Sequence, residues 1–164
     1  MAEILGVDVG GVILDWVRTA GTDVDFSGDN YLNTPTIEDS FEALATLNAG
    51  RFRDSVYLVS RYPVEKGPTR VREWLKHQDF YGKTSILEGN LFQCTERQEK
   101  TPICQRLGIT HFVDDRVEVL RHMVGIVPNL YLFQGLDEDK KAADAFPQIQ
   151  FFEGWASLLT ELRG

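Results

Sequence analysis

Four short stretches of this chain carry side chains able to do chemistry. Near its start the apolar run Ile4-Leu5-Gly6-Val7 stops on the carboxylate of Asp8, and Gly10-Gly11 follow before apolar character resumes at Val12. A carboxylate at a strand end, followed by glycines that let the backbone turn sharply and a ligand approach the main chain, is a site-like arrangement. A second apolar run ends on the hydroxyl of Ser60 with Arg61 behind it, Lys100 opens a helical pattern, and the run Thr110-His111-Phe112-Val113 leads straight into Asp114-Asp115. Chemistry on a small anionic group would suit them, with a lysine or a metal ion as the local positive centre. Taken singly, each also has an ordinary role: a solvated turn for Asp8, a strand end for Ser60, a solvent-facing lysine, an N-cap for Asp114.

The elements between these stretches must bring them together. From Asp15 to Thr36 the chain is polar and rich in Gly, Asp, Asn and Thr, which reads as a long excursion with a short hairpin, either a functional lid or disorder. Thr36 followed by Asp39 resembles a capping box, and Phe41, Leu44, Ala45 and Leu47 keep helical spacing up to Gly50. Ser55–Ser60 reads as the second strand, and Gly67-Pro68 opens a helix with Val71, Trp74 and Leu75 on one face. Between Phe80 and Glu96 both Ile86-Leu87 and Asn90–Cys94 have strand character, and the second is preferred. Lys100-Thr101-Pro102 starts a helix that stops at Gly108. A strand at Thr110–Val113 follows, then a helix carrying Val117, Leu120 and Val124, a strand at Asn129–Phe133, a charged loop or short helix from Asp137 to Phe146, a strand at Ile149–Phe152, and a C-terminal helix with Trp155, Leu158, Leu159 and Leu162.

Strands alternating with helices at this pitch predict an α/β fold: a doubly wound, Rossmann-like, mostly parallel sheet with helices on both faces. Ligands of such folds bind beyond the carboxyl ends of the strands. Asp8, Ser60 and Asp114-Asp115 are expected at that end with Lys100 close by, so four separated positions would converge on one crevice.

Composition narrows the partners. The 164 residues fit one domain, 1–164, long enough to bury a core without disulfides or metal staples. With 17 Lys and Arg against 25 Asp and Glu, the formal charge is -8, which argues against nucleic acid and anionic membrane as partners. No signal-peptide pattern or membrane-length apolar run is present, so a cytoplasmic location is expected. Cys94 and Cys104 lack metal-type spacing and read as free thiols. His77, His111 and His122 form no ligand pair and read as structural, with partly exposed imidazoles.

A strand ending in Asp8 with a following Gly-Val, a strand ending in Ser60, Lys100 at a helix start and Asp114-Asp115 after a strand, in that order, resemble the haloacid dehalogenase-like superfamily, in its phosphatase-type, capless or minimally capped form. The resemblance runs from Asp8 to Glu118. Response-regulator receivers are doubly wound with strand-end aspartates too, but they do not place Ser, Lys and Asp-Asp in this order. The resemblance implies a Mg2+-dependent phosphohydrolase in which Asp8 attacks phosphorus to form an aspartyl-phosphate. Mg2+ would be held by Asp8, the Gly10 carbonyl and Asp115, with Asp114 supporting. Ser60, Lys100, Arg61 and the backbone N–H groups near Gly11 would contact the phosphoryl oxygens or offset their charge. The segment 15–36 would stand in place of a cap and leave the crevice open to a phosphorylated small molecule or macromolecule, or to cover from a second subunit.

The superfamily pattern usually carries a second Asp, the general acid, two residues after the nucleophile; here that residue is Gly10. General acid–base catalysis is worth roughly 10²–10⁴-fold. Three consequences stay open at this point. Asp15 could be the acid, as in branches reading Asp-x-Gly with a later Asp; the leaving group could need no proton, as in halide displacement; or the chain could be a weak or inactive relative that only binds a phosphorylated ligand or a protein partner. Glu118, where the fourth motif usually has an Asp, reads as a solvated helix residue or a distant supporting acid.

Overall fold

The computed structural model describes residues 2–164. Six strands, β1 (Leu5–Val7), β2 (Val56–Arg61), β3 (Leu91–Cys94), β4 (His111–Asp114), β5 (Asn129–Phe133) and β6 (Ile149–Phe152), form one sheet in the order β3-β2-β1-β4-β5-β6. Every pairing is parallel. The doubly wound fold predicted from the alternating pattern is therefore observed, and the sheet is wholly rather than mostly parallel. The order reverses between β1 and β4, where such sheets open a crevice for ligands. Val7 is level with Leu58 and Val113, so Asp8 and Asp114 leave adjacent strands at the same end.

Period-2 alternation along the strands builds a core on each face. Leu5, Val7, Val56, Leu58, Val113, Tyr131 and Phe133 pack with helices α1 (Ser40–Ala49), α2 (Thr69–His77), α3 (Phe80–Thr84) and α7 (Trp155–Leu162). Val59, Phe112, Leu130 and Leu132 pack on the other face with α4 (Lys100–Leu107) and α5 (Val117–Leu120), beside the short α6 (Asp137–Ala143). Gly6 is needed where β1 meets the second core: a Cβ there would lie 2.6 Å from Ile109 Cδ1 and 2.7 Å from Phe112 Cδ1.

Several local expectations change. Thr36 and Asp39 do not form a capping box: Asp39 is left-handed (φ 65°), makes no side-chain cap and directly precedes α1, which is shorter than the four turns expected. Pro68 stands immediately before α2 rather than inside its first turn. The helix expected through Val124 breaks after α5 into a 3-10 turn, Arg121–Met123, because the chain must reverse by Asn129 to enter β5. His111 is buried, not partly exposed, and stacks on Tyr131. Cys94 and Cys104 are free and buried, and burial pushes their thiols up to about 11 and about 12. Among the described residues no helix is long and apolar enough to cross a membrane.

Segment 15–36 contains no hairpin. Its one regular piece is a 3-10 turn at Tyr31–Asn33, and a single bridge joins Leu14 to Thr36. Side chains of α2 take the place of a strand partner. Trp74 Nε1 donates to the Thr34 carbonyl (2.8 Å), Arg70 to those of Phe26 (3.0 Å) and Gly28 (2.7 Å), and Gln78 to that of Leu32 (3.1 Å). The Tyr31 hydroxyl bonds Glu73, and the Arg70 guanidinium lies 4.4 Å above the Tyr31 ring.

Two expectations follow from this packing. Trp74→Phe leaves the buried Thr34 carbonyl without its donor and should lower stability by about 1–3 kcal/mol, read by urea unfolding, with faster proteolysis inside 15–36; unchanged values for both would contradict the clasp. His111 gives a pH dependence. Burial, then the Arg51 guanidinium, hold its imidazole below the usual range against the opposing pull of Glu3, and Tyr131 covers its face. Nδ1 bonds Thr110 Oγ1 (2.8 Å), while Nε2 lies 3.4 Å from an Arg51 nitrogen that can only donate, so the ring is neutral. The folded pKa lies below the unfolded one, so this stabilisation is complete above about pH 6.5 and is lost as pH falls through the folded pKa. The stability difference between wild type and His111→Gln should shrink as pH drops from 7 toward 5; a constant difference would rule out this linkage.

Candidate active site

The carboxyl ends of β1 and β4 hold a buried charge cluster. Lys100 Nζ, 3% exposed, lies 2.9 Å from Asp8 Oδ1 and 2.8 Å from Asp114 Oδ2. The sequence folds this way because Asp8 leaves β1 with its N–H bonded to the Val113 carbonyl of β4 (2.9 Å), which locks the two acidic strand ends side by side. Lys100 is delivered from the opposite direction: a 3-10 turn at Arg97–Glu99, tightened by Glu99 Oε1 accepting from the Glu96 N–H (2.8 Å), leads directly into α4.

Asp115 completes the cluster. One ligand oxygen from each of Asp8, Asp114 and Asp115 lies within 4.8 Å of the others, and all three residues are buried. Its carboxylate lies against the backbone of Gly11, where φ is +80° and a Cβ would fall 2.0 Å from Asp115 Oδ2. Gly11 thus serves a left-handed turn and a close approach at once. Its N–H, expected to face a ligand, is instead bonded to the Leu14 carbonyl (2.8 Å) and closes the turn. Behind Asp115, buried Asp139 of α6 accepts from the Val117 N–H (3.0 Å) and from Arg116 Nε (3.2 Å), which fixes the start of α5.

Charge explains the titration of the group. Burial, then Asp114, raise the Asp8 carboxyl to about 6 against the lowering effect of Lys100. Asp115 is raised well above the usual range by burial and by Asp8 and Asp114. Burial would depress the Lys100 ammonium, but Asp114 and Asp8 outweigh it and hold its pKa above the ordinary lysine value. Three buried carboxylates facing one ammonium are short of positive charge, and hard oxygen donors grouped this closely suit a small divalent cation. The Gly10 carbonyl accepts no hydrogen bond from a described residue and adds a further oxygen.

The cluster opens into a cavity of about 560 Å³ lined by Asp8, Gly10, Ser60, Arg61, Lys100, Asp114 and Asp115. The structure therefore brings together every candidate except Gly11, which lies behind the cluster, and Asp15. Asp15 is buried but does not line the cavity; Arg18 holds its Oδ2 through Nε at 2.6 Å and Nη2 at 2.5 Å. Glu118 is exposed and pairs with Arg97 (3.2 Å). Residues that sequence reasoning passed over also line the cavity: Trp16, Ala20, Asp25, Phe26 and Ser27 of the 15–36 segment, Lys66 and Arg70, and Arg97 and Arg116. Six of the chain's 17 Lys and Arg meet here, although the chain as a whole is acidic. Arg61 bonds only the Thr95 carbonyl (3.1 Å), whereas Arg97 and Arg116 have carboxylate partners.

No family model and no curated protein matches the chain. Among solved structures, it is similar to the D,D-heptose 1,7-bisphosphate phosphatase from Burkholderia thailandensis, with a TM-score of 0.58 over 97% of each chain at 14% identity. The doubly wound α/β fold expected from the alternating strands and helices is thus shared, over nearly the whole chain, with a phosphatase of known structure.

The Gly11 contact generates a test. Gly11→Ala should destabilise by more than the roughly 1–3 kcal/mol expected for a strained backbone position alone, because the methyl group also displaces Asp115. The double variant Gly11→Ala/Asp115→Ala should recover part of that loss in a double-mutant cycle. Strict additivity in urea unfolding would show that the two residues are not in contact.

Proposed function

We propose that the chain is a Mg2+-dependent phosphohydrolase that works through an aspartyl-phosphate on Asp8. The observation that supports this most directly is the buried cluster of Asp8, Lys100, Asp114 and Asp115 at the switch point of the sheet, open to a cavity rich in cations. Asp8, Asp115 and the Gly10 carbonyl would hold Mg2+ with Asp114 behind them, and the ion would supply the positive charge that lets a carboxylate meet a phosphate.

The chain's own residues perform the remaining work. Lys100 fixes the Asp8 carboxylate and offsets its charge and that of the transferring group. Ser60 Oγ donates to a phosphoryl oxygen, and Arg61, free of carboxylate partners, draws the anionic ester into the crevice. As Asp8 forms its bond to phosphorus, the ester P–O bond breaks and its electron pair leaves with the alcohol oxygen. Water then attacks the aspartyl-phosphate, releasing inorganic phosphate and restoring Asp8. We read segment 15–36 as a clasped flap in place of a cap, within one domain spanning 1–164.

A second reading, a weak or inactive protein that binds a phosphorylated ligand, draws support from Asp15: bound to Arg18 outside the cavity, it is poorly placed as the general acid missing at Gly10. Hydrolysis of a panel of phosphate esters separates the two. Turnover should need Mg2+, stop with chelator and fall by about 10³-fold or more in Asp8→Asn, while Asp15→Asn should leave leaving-group dependence unchanged. Turnover no greater than that of Asp8→Asn would sink the enzyme reading and favour the binding protein.

A further inference from the structure

The three tryptophans are placed in two ways. Trp74 and Trp155 are buried, and their indole N–H groups each donate to a backbone carbonyl at 2.8 Å. Trp16 is 36% exposed, and its N–H bonds no described residue. It lines the same cavity as Asp8, Ser60 and Lys100. Its ring covers Gly10, two residues after the proposed nucleophile: a Cβ at Gly10 would lie 3.3 Å from Trp16 Cδ1 and 3.5 Å from Nε1. Leaving a large ring open to solvent forgoes its burial, and an indole beside a polar site offers a flat apolar face with one donor at its edge.

Outside the cluster, the carboxylates of the cavity are poorly placed to donate a proton. Besides the cluster, its acidic residues are Asp25 and Glu65. Asp25 is committed to its own turn, accepting from the Gly21 N–H (2.7 Å) and from both the N–H and Oγ of Ser27 (2.9 Å each). Glu65 is exposed in the loop after β2. An indole N–H can donate a hydrogen bond but does not release its proton. With no carboxylate outside the cluster placed to protonate it, a leaving group that departs here does best when it can carry its own negative charge.

We propose that Trp16 is the platform for the leaving group, and that the preferred substrate is a phosphate monoester of a planar aromatic alcohol, whose ring stacks on the indole while its phosphate lies against Asp8 and Lys100. This rests on the phosphohydrolase reading. When the Asp8–phosphorus bond forms, the P–O(aryl) bond breaks, its electron pair goes to the phenolic oxygen, and water protonates the released phenolate. A phenol such as the tyrosine side chain has a pKa of about 10, against 15.7 for water, so a phenolate leaves without prior protonation far more readily than an alkoxide.

Binding tests the platform without turnover. In Asp8→Asn with Mg2+, which cannot form the intermediate, phenyl phosphate should bind about tenfold more tightly than butyl phosphate by titration calorimetry, as expected for one aromatic stack. Adding Trp16→Ala should bring the two within about twofold, while Trp16→Phe should keep most of the preference; equal urea midpoints would show that the surface substitutions leave the fold intact. Equal affinities with Trp16 present, a preference that survives Trp16→Ala, or binding of neither ester would each overturn the proposal. In wild type, kcat/KM across substituted phenyl phosphates should rise steeply as the phenol becomes more acidic; a flat series, or a slope that steepens in Glu65→Gln, would reveal a proton donor and overturn it too. Absence of turnover alongside the expected binding preference would sink the enzyme reading and leave the platform standing.

Discussion

The ammonium of Lys100 between the carboxylates of Asp8 and Asp114 is the interaction on which the rest of the structure depends. Two acidic strand ends can lie side by side in a buried place only if a cation stands between them, since neighbouring buried carboxylates raise each other's pKa and favour protonation. The parallel register of β1 and β4 creates the problem, and the start of α4 supplies the remedy. The remedy is incomplete: Asp115 joins the pair with no second ammonium, and the titration of Asp8 and Asp115 is displaced upward as a result. Buried ion pairs seldom repay their desolvation, and replacing such a group by apolar side chains of similar volume is often neutral or stabilising. A core built for stability alone would have no use for this cluster. Its shortage of positive charge makes sense as a place for a cation and an anionic ligand to enter together.

The crevice above the cluster is made by a different device. Segment 15–36 has almost no regular structure, yet it is ordered against α2, because Trp74, Arg70 and Gln78 bond its carbonyls. Arg70 and Lys66, which also donates to the Ser27 carbonyl (3.1 Å), therefore hold the flap while their side chains line the cavity. The same cations serve fold and field. Their hydrogen bonds go to neutral carbonyls, so holding the flap does not neutralise the charge they bring to the crevice.

Sequence reading recovered the sheet and the convergence of four positions, because strand-end residues follow apolar runs whose length and β-branched content are local signals and Lys100 opens a helix marked by Pro102 and Gly108. Asp8, Ser60, Lys100 and Asp114-Asp115 needed no tertiary knowledge beyond the rule that parallel strands share an end. What escaped was set by partners distant in sequence or by backbone conformation. Asp39 looked like part of a capping box with Thr36, but its left-handed φ is fixed by how the chain enters α1. The segment after Leu14 suggested a hairpin because nothing local shows that α2 satisfies its carbonyls. His111 is buried by Tyr131 and by the adjacent Arg51 and Phe52, from two other parts of the chain. Asp15 is the instructive case: Arg18, three residues on, was visible, but only the turn that joins the two decides that the carboxylate points at its own loop instead of the cavity.

Fold likeness and site chemistry answer different questions here. A shared doubly wound architecture at 14% identity identifies where a ligand should sit, and a fold by itself hosts many chemistries. The chemistry has to come from side chains, and those around Gly10 are arranged in a concerted way. A side chain at position 10 would press on Trp16, and the carboxylate at Asp15 is turned aside onto Arg18. The two features are linked through the chain, because Asp15 and Trp16 are neighbours in one turn, and a backbone that lays the indole over Gly10 carries the preceding carboxylate elsewhere. An aromatic face therefore occupies the space beside Asp8 on the Gly10 side, where the proposed phosphohydrolase would need a proton donor for a basic leaving group. Such an arrangement is tolerable only where the departing group is acidic enough to leave unaided, or where nothing has to leave at all.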